Sequence, residues 1–452
     1  MAAPLSSAQR PSVGDELELR IESLAFGGAG VARAEGGYVV FVDGALPGDL
    51  VRARVHHRKR SYAQARATDL IEPGPDRVEP LAEHAGAPWQ VLRYERQLEI
   101  KHDQVDDALR RLGHLEGFEL EPIVPALEQW RYRNKLEYSF GTAPDGTLVC
   151  GFHAPGSWER IEPLEDCLLA SEPANQVRRD VLAFCRARGL RAFDRRTHEG
   201  FLRNLVVREG RRSGQLLVRL VTSKGELDAE GLAAAVDCHG LLWTHTDAAA
   251  ETTAGGRTEV LSGVPYLDER IGSLELRISA EAFFQTNTEM AERLYELVAQ
   301  AAALEGWERV YDLYCGIGSI GLSLAGRAGS VHGLEIVEEA VKDAASNARH
   351  NEITNCHFHA GDVRLVLAQL TAAAGRPDLV VVDPPRAGLS QKIVRRVIEA
   401  SPRRIVYVSC NPTTLAPNAA QLVEAGWRLT RVTPVDMFPQ TPHIECVALL
   451  ER

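Results

Sequence analysis

Four short apolar runs recur in the C-terminal part of the chain: Arg309-Val310-Tyr311-Asp312-Leu313, Ser330-Val331-His332-Gly333-Leu334, Leu379-Val380-Val381-Val382 and Ile405-Val406-Tyr407-Val408. Helical stretches separate them. Runs of this length read as strands buried on both faces. Strands that alternate with helices form a parallel, doubly wound sheet covered on both sides. The regular alternation begins near residue 280. In such sheets ligands lie outside the carboxyl ends of the strands. The residues just after each run are therefore where chemistry is expected.

Upstream, the pattern differs. Glu16-Leu17-Glu18-Leu19-Arg20-Ile21, Gly37-Tyr38-Val39-Val40-Phe41-Val42 and Val51-Arg52-Ala53-Arg54-Val55 read as short strands between Gly-rich turns. That spacing predicts a small β-barrel over residues 8–71. It carries a basic cluster, His56-His57-Arg58-Lys59-Arg60. By charge alone such a run is a solvated face; on a small barrel, Arg58, Lys59 and Arg60 become candidate nucleic-acid contacts. Glu72-Pro73-Gly74-Pro75-Asp76-Arg77 reads as a linker. A helical segment is expected from Tyr94 to Leu115. Residues 80–265 read as a central α+β domain, with strands near 135–140 and 215–221. Within it Arg131-Tyr132-Arg133-Asn134-Lys135 sets cations beside an aromatic ring, which suits nucleic acid, with Arg133 and Lys135 as the contacts. A charged outer sheet face explains that run equally well. The last domain spans 270–452.

The chain has 452 residues and a net charge of −11, which disfavours binding nucleic acid over the whole surface. No apolar run approaches the roughly 18–20 residues needed to cross a membrane. Residues 1–7 lack the apolar core of a signal peptide. A cytoplasmic protein is expected. Its eight cysteines are dispersed, without a C-x-x-C pair, so neither a disulfide framework nor a cysteine-built metal site is expected.

The first apolar run leads into Gly316-Ile317-Gly318-Ser319-Ile320-Gly321, a strand-turn-helix glycine pattern that lets a ligand approach the backbone. Glu335 ends the next run, where an acidic residue binds ribose hydroxyls. NAD and S-adenosylmethionine both carry the adenosine this recognises. Two details favour S-adenosylmethionine: Asp312 just before the glycines, and Asp383-Pro384-Pro385-Arg386 after the third run. An NAD-dependent oxidoreductase has no use for the latter. Cys410 follows the fourth run, in Ser409-Cys410-Asn411-Pro412. A free cysteine is most often a small buried hydrophobe. At a strand's carboxyl end, beside Asp383 and with Glu445 opening the final run, it is a candidate nucleophile. A thiolate and a carboxylate are the pair needed to methylate an unactivated pyrimidine. The thiolate adds at C6, C5 takes the methyl, and a base removes the C5 proton before the thiol leaves.

These runs resemble the RNA uracil-C5 methyltransferase family, whose bacterial members modify tRNA or 23S rRNA. The matching residues are Phe284-Gln285-Thr286-Asn287, Asp312-Leu313-Tyr314-Cys315-Gly316-Ile317-Gly318-Ser319, Asp383-Pro384-Pro385-Arg386, Ser409-Cys410-Asn411-Pro412-Thr413-Thr414-Leu415 and His443-Ile444-Glu445. The N-terminal barrel, with its Leu46-Pro47-Gly48 turn, resembles a TRAM domain. The resemblance covers nearly the whole chain and implies a Rossmann-like methyltransferase domain behind the barrel and the central α+β domain. It implies Cys410 as nucleophile and Glu445 as base. It also implies S-adenosylmethionine held by Gln285, Tyr314, Gly316, Gly318, Ser319, Glu335, Asp362 and Asp383. The RNA implied is 23S rRNA, with tRNA as the alternative, acted on by a monomer. The closest rival chemistry, cytosine-C5 methylation, resembles this one in fold but usually uses a Pro-Cys nucleophile, and no Pro-Cys occurs at the Asp383 loop. A decayed, non-catalytic RNA binder would lack Cys410 or Glu445. Two departures stand out. Many TRAM-bearing relatives hold an iron–sulfur cluster through a C-x-x-C stretch; here the equivalent is Ala85-Gly86-Ala87-Pro88-Trp89-Gln90. Cys167 alone cannot hold a cluster, so no iron–sulfur centre is expected. Pro417-Asn418 replaces the usual Arg-Asp.

Overall fold

The computed structural model describes residues 10–248, 253 and 255–452. The segment 1–7 and the first two residues of the barrel as drawn from sequence lie outside these. The strands Glu16–Arg20, Ser23–Leu24, Gly30–Arg33, Val39–Asp43, Leu50–Arg58 and Tyr62–Glu72 form one curled six-stranded sheet. Alternation in Leu50–Arg58 turns Val51, Ala53 and Val55 inward, against Ala32, Val40, Val42, Ala63 and Ala65. Small β-formers fill the tight interior of such a sheet. Arg58, Lys59 and Arg60 sit at the tip of the hairpin joining the last two strands.

The stretch after the barrel is tied down. Buried Asp49 accepts bonds from the backbone of Leu46 (2.7 Å) and Gly74 (2.8 Å) and a two-pronged pair from Arg77. Burial works against the charged carboxylate, but these donors outweigh it and hold the group below its usual range.

A second sheet has seven strands, ordered Ile161–Pro163, Leu148–His153, Lys135–Thr142, Leu202–Glu209, Leu216–Thr222, Gly240–His245 and Arg257–Gly263. The helix Glu172–Ala187 buries Val177, Val181 and Phe184 against it. Ser171 caps this helix by accepting a bond from the Ala174 amide.

The third sheet carries the glycine turn. Its strands are β1 (Arg309–Leu313), β2 (Ser330–Glu335), β3 (Cys356–Ala360), β4 (Leu379–Val382), β5 (Arg404–Ser409), β6 (Arg428–Val435) and β7 (Glu445–Glu451). Their order is β3-β2-β1-β4-β5-β7-β6. The first five run parallel, and β7 inserts antiparallel between β5 and β6. Every residue of β4 is buried, as its uninterrupted apolar sequence requires.

One segment belongs elsewhere than the sequence suggests. Residues 94–120 fall inside the central domain as drawn from sequence, yet they pack on the third sheet. The expected helix is an α-helix over Tyr94–Asp107 that passes into a π-turn at Ala108–Leu112. Val105, Leu109, Leu115 and Phe118 join the core around β4, β5 and β7, and Glu119–Leu120 adds a parallel strand beside β6. Burial of those four side chains overrides chain order.

Asp49→Ala should destabilise the barrel by roughly 3 kcal/mol, because it strands the buried Arg77 pair and two amides. Since the Asp49 carboxyl is depressed, its contribution is present at neutral pH and lost as pH falls below the ordinary value of 3.8. Thermal unfolding of both proteins at pH 7 and pH 3 checks this: the difference should shrink at pH 3.

Candidate active site

The site lies at the carboxyl edge of the third sheet. β5 ends at Ser409, and Cys410 is half-buried between that strand and the helix Pro412–Glu424. Asn411 caps the helix by accepting a bond from the Thr413 amide (3.0 Å), and Pro412 occupies its first turn. The Asn411 amide also donates to the Arg386 carbonyl (3.0 Å), which fixes the Asp383-Pro384-Pro385-Arg386 loop beside the thiol. Asn418 completes the brace. It is buried and bonds Leu389 through both its amide groups (2.8 and 3.0 Å), and its oxygen also accepts from the Tyr407 hydroxyl (2.9 Å). In the Pro417-Asn418 departure, Asn418 thus serves packing under the loop.

The antiparallel pairing of β7 sets Ser409 opposite Cys446. Glu445 therefore stands at the same sheet edge as Cys410. It is buried, and its Oε2 makes no hydrogen bond among the described residues.

Charge in this corner is crowded. Burial pushes Asp383 up to about 7, opposed by a long hydrogen bond from Gln285 (3.4 Å). Burial, aided by Asp383, raises Glu445 well above the carboxylate range. Burial also lifts Asp312 to about 8, with Asp383 and Glu335 adding to it, although the Gly321 amide donates to it at 2.9 Å. The Cys410 thiol is pushed up to about 11, by burial first and then by Glu445 and Asp383. Arg386 opposes the rise at both Cys410 and Glu445. Its guanidinium also contacts the His443 ring (3.2 Å), which burial and Arg386 hold down to about 4 and hence neutral.

The glycine turn leaves room for a cofactor to approach the backbone. Gly316 and Gly318 have φ of +53° and +81°, the left-handed region that favours glycine. A Cβ on Gly318 would strike Phe358 at 2.9 Å, whereas one on Gly316 would meet open space. Tyr314 also has positive φ (+66°), a strained backbone for a residue with a side chain. Ser319 opens the following helix and bonds the Tyr295 hydroxyl (2.9 Å). Glu335 ends β2 and accepts bonds from the amides of Gly316 (3.2 Å), Ile336 (2.8 Å) and Val337 (3.0 Å). Asp362, just past β3, caps the helix Val363–Ala374 by accepting from the Arg364 amide and is paired with the Arg364 guanidinium. An orphaned buried oxygen, Oδ1 of Asp312, lies just beneath the turn.

The sequence-selected residues divide accordingly. Cys410, Glu445, Asp383, Gln285, Tyr314, Gly316, Gly318, Ser319, Glu335 and Asp362 all fall along one edge of one sheet. Arg133 joins them from the central domain: it bridges to Asn287 and stacks on Phe438, 5.8 Å from the ring centroid. Lys135 is drawn off by Glu137, with Nζ 2.6 Å from its carboxylate. Arg58, Lys59 and Arg60 remain on the barrel hairpin. Several neighbours have no role assigned by sequence. Asn134 bonds the Gln285 carbonyl (2.9 Å) and Thr288 (2.9 Å). Phe283 is 66% exposed two residues before Gln285, and Arg386 and His443 face the thiol corner. Arg386 and His443 are visible in the family motifs, and Asn134 sits in the basic run that supplies Arg133 and Lys135; Phe283 gives no pattern of its own.

The residues near Cys167 do not fit an iron–sulfur cluster. Cys167 is met by His84 (Nε2–Sγ 3.4 Å), and Phe152 packs against the His84 ring. A Cβ at Gly86 would touch His84 and Phe152 at 3.0–3.1 Å. The corner is packed with side chains, and among the described residues no three His, Cys, Asp or Glu side chains are grouped to hold a metal ion.

Residues 266–452 match the family model described as tRNA (uracil-5-)-methyltransferase, and residues 10–68 match the TRAM domain. An uncharacterized RNA methyltransferase of Chlorobaculum tepidum is 39% identical over 481 aligned residues, covering all of both chains. One from Halalkalibacterium halodurans is 38% identical and covers 99% of each. Among solved structures, the Pyrococcus abyssi tRNA (uracil-54, C5)-methyltransferase, in complex with S-adenosyl-L-homocysteine, superposes with a TM-score of 0.79. It is 28% identical and covers 96% of this chain and 99% of its own. The fold and site thus define an S-adenosylmethionine-dependent RNA methyltransferase. The chain belongs to the RNA methyltransferase family of these relatives, and its residues 266–452 carry the tRNA (uracil-5-)-methyltransferase domain. No helix among the described residues is long and apolar enough to cross a membrane.

The carboxylates around Cys410 make its reactivity directional. Asp383→Asn should lower the thiol's pKa and speed its alkylation by iodoacetamide at pH 8.5, by roughly 3- to 10-fold for half to one unit. Arg386→Ala should slow it. Mass spectrometry of the Cys410 peptide over time reads both rates, and equal rates in all three proteins would contradict this electrostatic picture.

Proposed function

We propose that this enzyme transfers a methyl group from S-adenosylmethionine to C5 of a uridine in structured RNA, most simply 23S rRNA. The observation that carries this is the register of β5 and β7, which sets Cys410 and Glu445 at one sheet edge beside Asp383. A uracil C5 is too weak a nucleophile to take a methyl unaided. Addition of the Cys410 thiolate at C6 makes C5 enolate-like, C5 takes the methyl from the sulfonium, and Glu445 then removes the C5 proton so that the thiolate can leave. Glu445's raised pKa suits a carboxyl that must take a proton in a dry corner. Arg386 is the cation that offsets the two carboxylates facing the thiol. Phe283, exposed beside Gln285, is placed to stack on the target base.

Bound S-adenosylmethionine supplies a methyl on a positively charged sulfonium. Gly316, Gly318, Tyr314 and Ser319 would hold its amino-acid end, Glu335 its ribose hydroxyls and Asp362 its adenine. Ile336 (64% exposed) and Leu365 (64% exposed) are apolar surfaces at that end of the sheet. Asp383 and Gln285 meet the reactive centre. The buried carboxyls of Asp312 and Asp383 favour a cationic ligand over a neutral one. Arg133 and the hairpin cations Arg58, Lys59 and Arg60 hold RNA phosphates, with Lys135 a weaker contributor because Glu137 neutralises it. A cytoplasmic monomer suffices for this work.

The choice of 23S rRNA rests on the TRAM domain. A tRNA substrate is the second reading, favoured by the Pyrococcus abyssi enzyme, whose name gives it a tRNA uridine.

Purified protein with S-adenosylmethionine should form 5-methyluridine on 23S rRNA transcripts. Nucleoside mass spectrometry of rRNA and tRNA reactions run separately decides between the two. A product on tRNA alone reverses the choice of RNA, and no product on either refutes the chemistry. Glu335→Ala should weaken S-adenosylmethionine binding at least 10-fold by calorimetry, since the ribose loses its acceptor; unchanged affinity would remove Glu335 from the site.

A further inference from the structure

The loop 436–444, which joins β6 to β7 and ends at Glu445, is held by side chains from far upstream. Asp436 and Lys101 are both fully buried, with Nζ 2.6 Å from Oδ1. Lys101 also donates to the Phe438 carbonyl (3.1 Å), and Tyr94 donates to the second Asp436 oxygen (2.8 Å). Gln97 and Gln440 exchange two bonds: the Gln97 amide donates to the Gln440 side chain (2.8 Å), and the Gln440 backbone amide donates to the Gln97 side chain (3.0 Å). Gln440 has a φ of +66°, a left-handed backbone that a glutamine adopts only when neighbours hold it there. Tyr132 donates to the Pro439 carbonyl (3.0 Å) and Asn287 to the Met437 carbonyl (3.0 Å).

Tyr94, Gln97 and Lys101 are spaced i, i+3 and i+7, so they share one face of the Tyr94–Asp107 helix. That face meets the loop and not the thiol. The Glu445 side chain, by contrast, has no hydrogen bond among those that fix this corner, and its Oε2 is unpartnered among the described residues. Its position is therefore inherited from the β7 pairing on one side and from the loop on the other.

We infer that the Tyr94–Asp107 helix is the positioning element for the base: Gln97 and Lys101, through Gln440 and Asp436, hold Glu445 where it reaches the C5 proton of the methylated adduct. This rests on the chemistry proposed above. In that chemistry the adduct carries a C6–S bond, and C5 bears both the methyl and a hydrogen. Glu445 takes the proton, the C5–H electrons form the C5–C6 double bond, the C6–S bond breaks, and its electrons return to sulfur. Displacing Glu445 slows only this last stage. The nucleophile on β5 and the methyl donor at the glycine turn are held by other contacts. Buried polar pairs that fix one geometry at some cost in stability are a known way of setting a reactive group.

The test uses the full-length enzyme with S-adenosylmethionine and the ordinary uridine transcript, 23S rRNA or tRNA, on which the wild type makes 5-methyluridine. Gln97→Ala and Lys101→Met are compared with Glu445→Gln. Each should lower kcat at least 10-fold while KM for S-adenosylmethionine changes less than 3-fold. Each should also accumulate a covalent protein–RNA adduct on denaturing gels, where the wild type shows almost none. Gln97→Glu keeps the acceptor for the Gln440 amide but sets an oxygen against the carbonyls of Trp89, Leu92 and Gln440, so it should show the same adduct as Gln97→Ala and no faster turnover. Lys101→Met leaves Asp436 buried without its cation; should it fail to fold, Gln97→Ala carries the test. Slower turnover without adduct in the folded variants, while Glu445→Gln accumulates it, overturns the inference and leaves the chemistry standing. Absence of adduct in Glu445→Gln as well removes Glu445 from the role of base, and the inference falls with it.

Discussion

The site depends on one strand pairing. β7 runs antiparallel beside β5, and the register that puts Ser409 opposite Cys446 brings Glu445 to the edge where Cys410 ends its strand. A slip of one residue would turn every β7 side chain to the other face of the sheet. The two core layers flanking β7 forbid that slip. Val447 and Leu449 face one layer, and Cys446, Ala448 and Leu450 face the other. Hydrophobic burial thus fixes the place of a carboxyl whose Oε2 has no hydrogen-bond partner among the described residues.

That arrangement has an electrostatic consequence. Three buried carboxyls (Asp312, Asp383 and Glu445) and a thiol share one corner, and Arg386 is the cation that opposes the rise at Cys410 and Glu445. Burial and mutual repulsion together make the thiol of the protein alone resist ionisation. Such a corner is poorly suited to indiscriminate nucleophilic chemistry. It is suited to a cationic donor, and to a substrate whose binding brings the reacting carbon to the thiol.

Much of this was legible in the chain. Cys410, Asp383, Glu335 and the glycine turn each come at or just after the end of an apolar run, and a parallel sheet gathers the ends of its strands along one edge. β3 and β6 were not legible. Cys356-His357-Phe358-His359-Ala360 and Arg428-Leu429-Thr430-Arg431 lie toward the margins of the sheet, where one face is wet and the apolar run is broken by polar residues. Residues 94–120 pack with a different body from the one chain order suggests, because sequence proximity says nothing of which core has room for Val105, Leu109 and Phe118. Pairings that neutralise a candidate, Glu137 with Lys135 and Arg364 with Asp362, lie close in sequence but show only once side-chain directions are set. The packing of His84 against Cys167 was not legible.

A nucleophilic Cys410 must form a covalent bond with the RNA during the reaction. Fluorine at C5 cannot be removed as a proton, so RNA carrying 5-fluorouridine stops the reaction after methyl transfer with C6 still bound to sulfur. Incubation with S-adenosylmethionine, protease digestion and mass spectrometry locate that bond. A nucleotide adduct is expected on the Cys410 peptide and none with Cys410→Ala. An adduct on another residue, or methylation of ordinary RNA by Cys410→Ala at the wild-type rate, would contradict it.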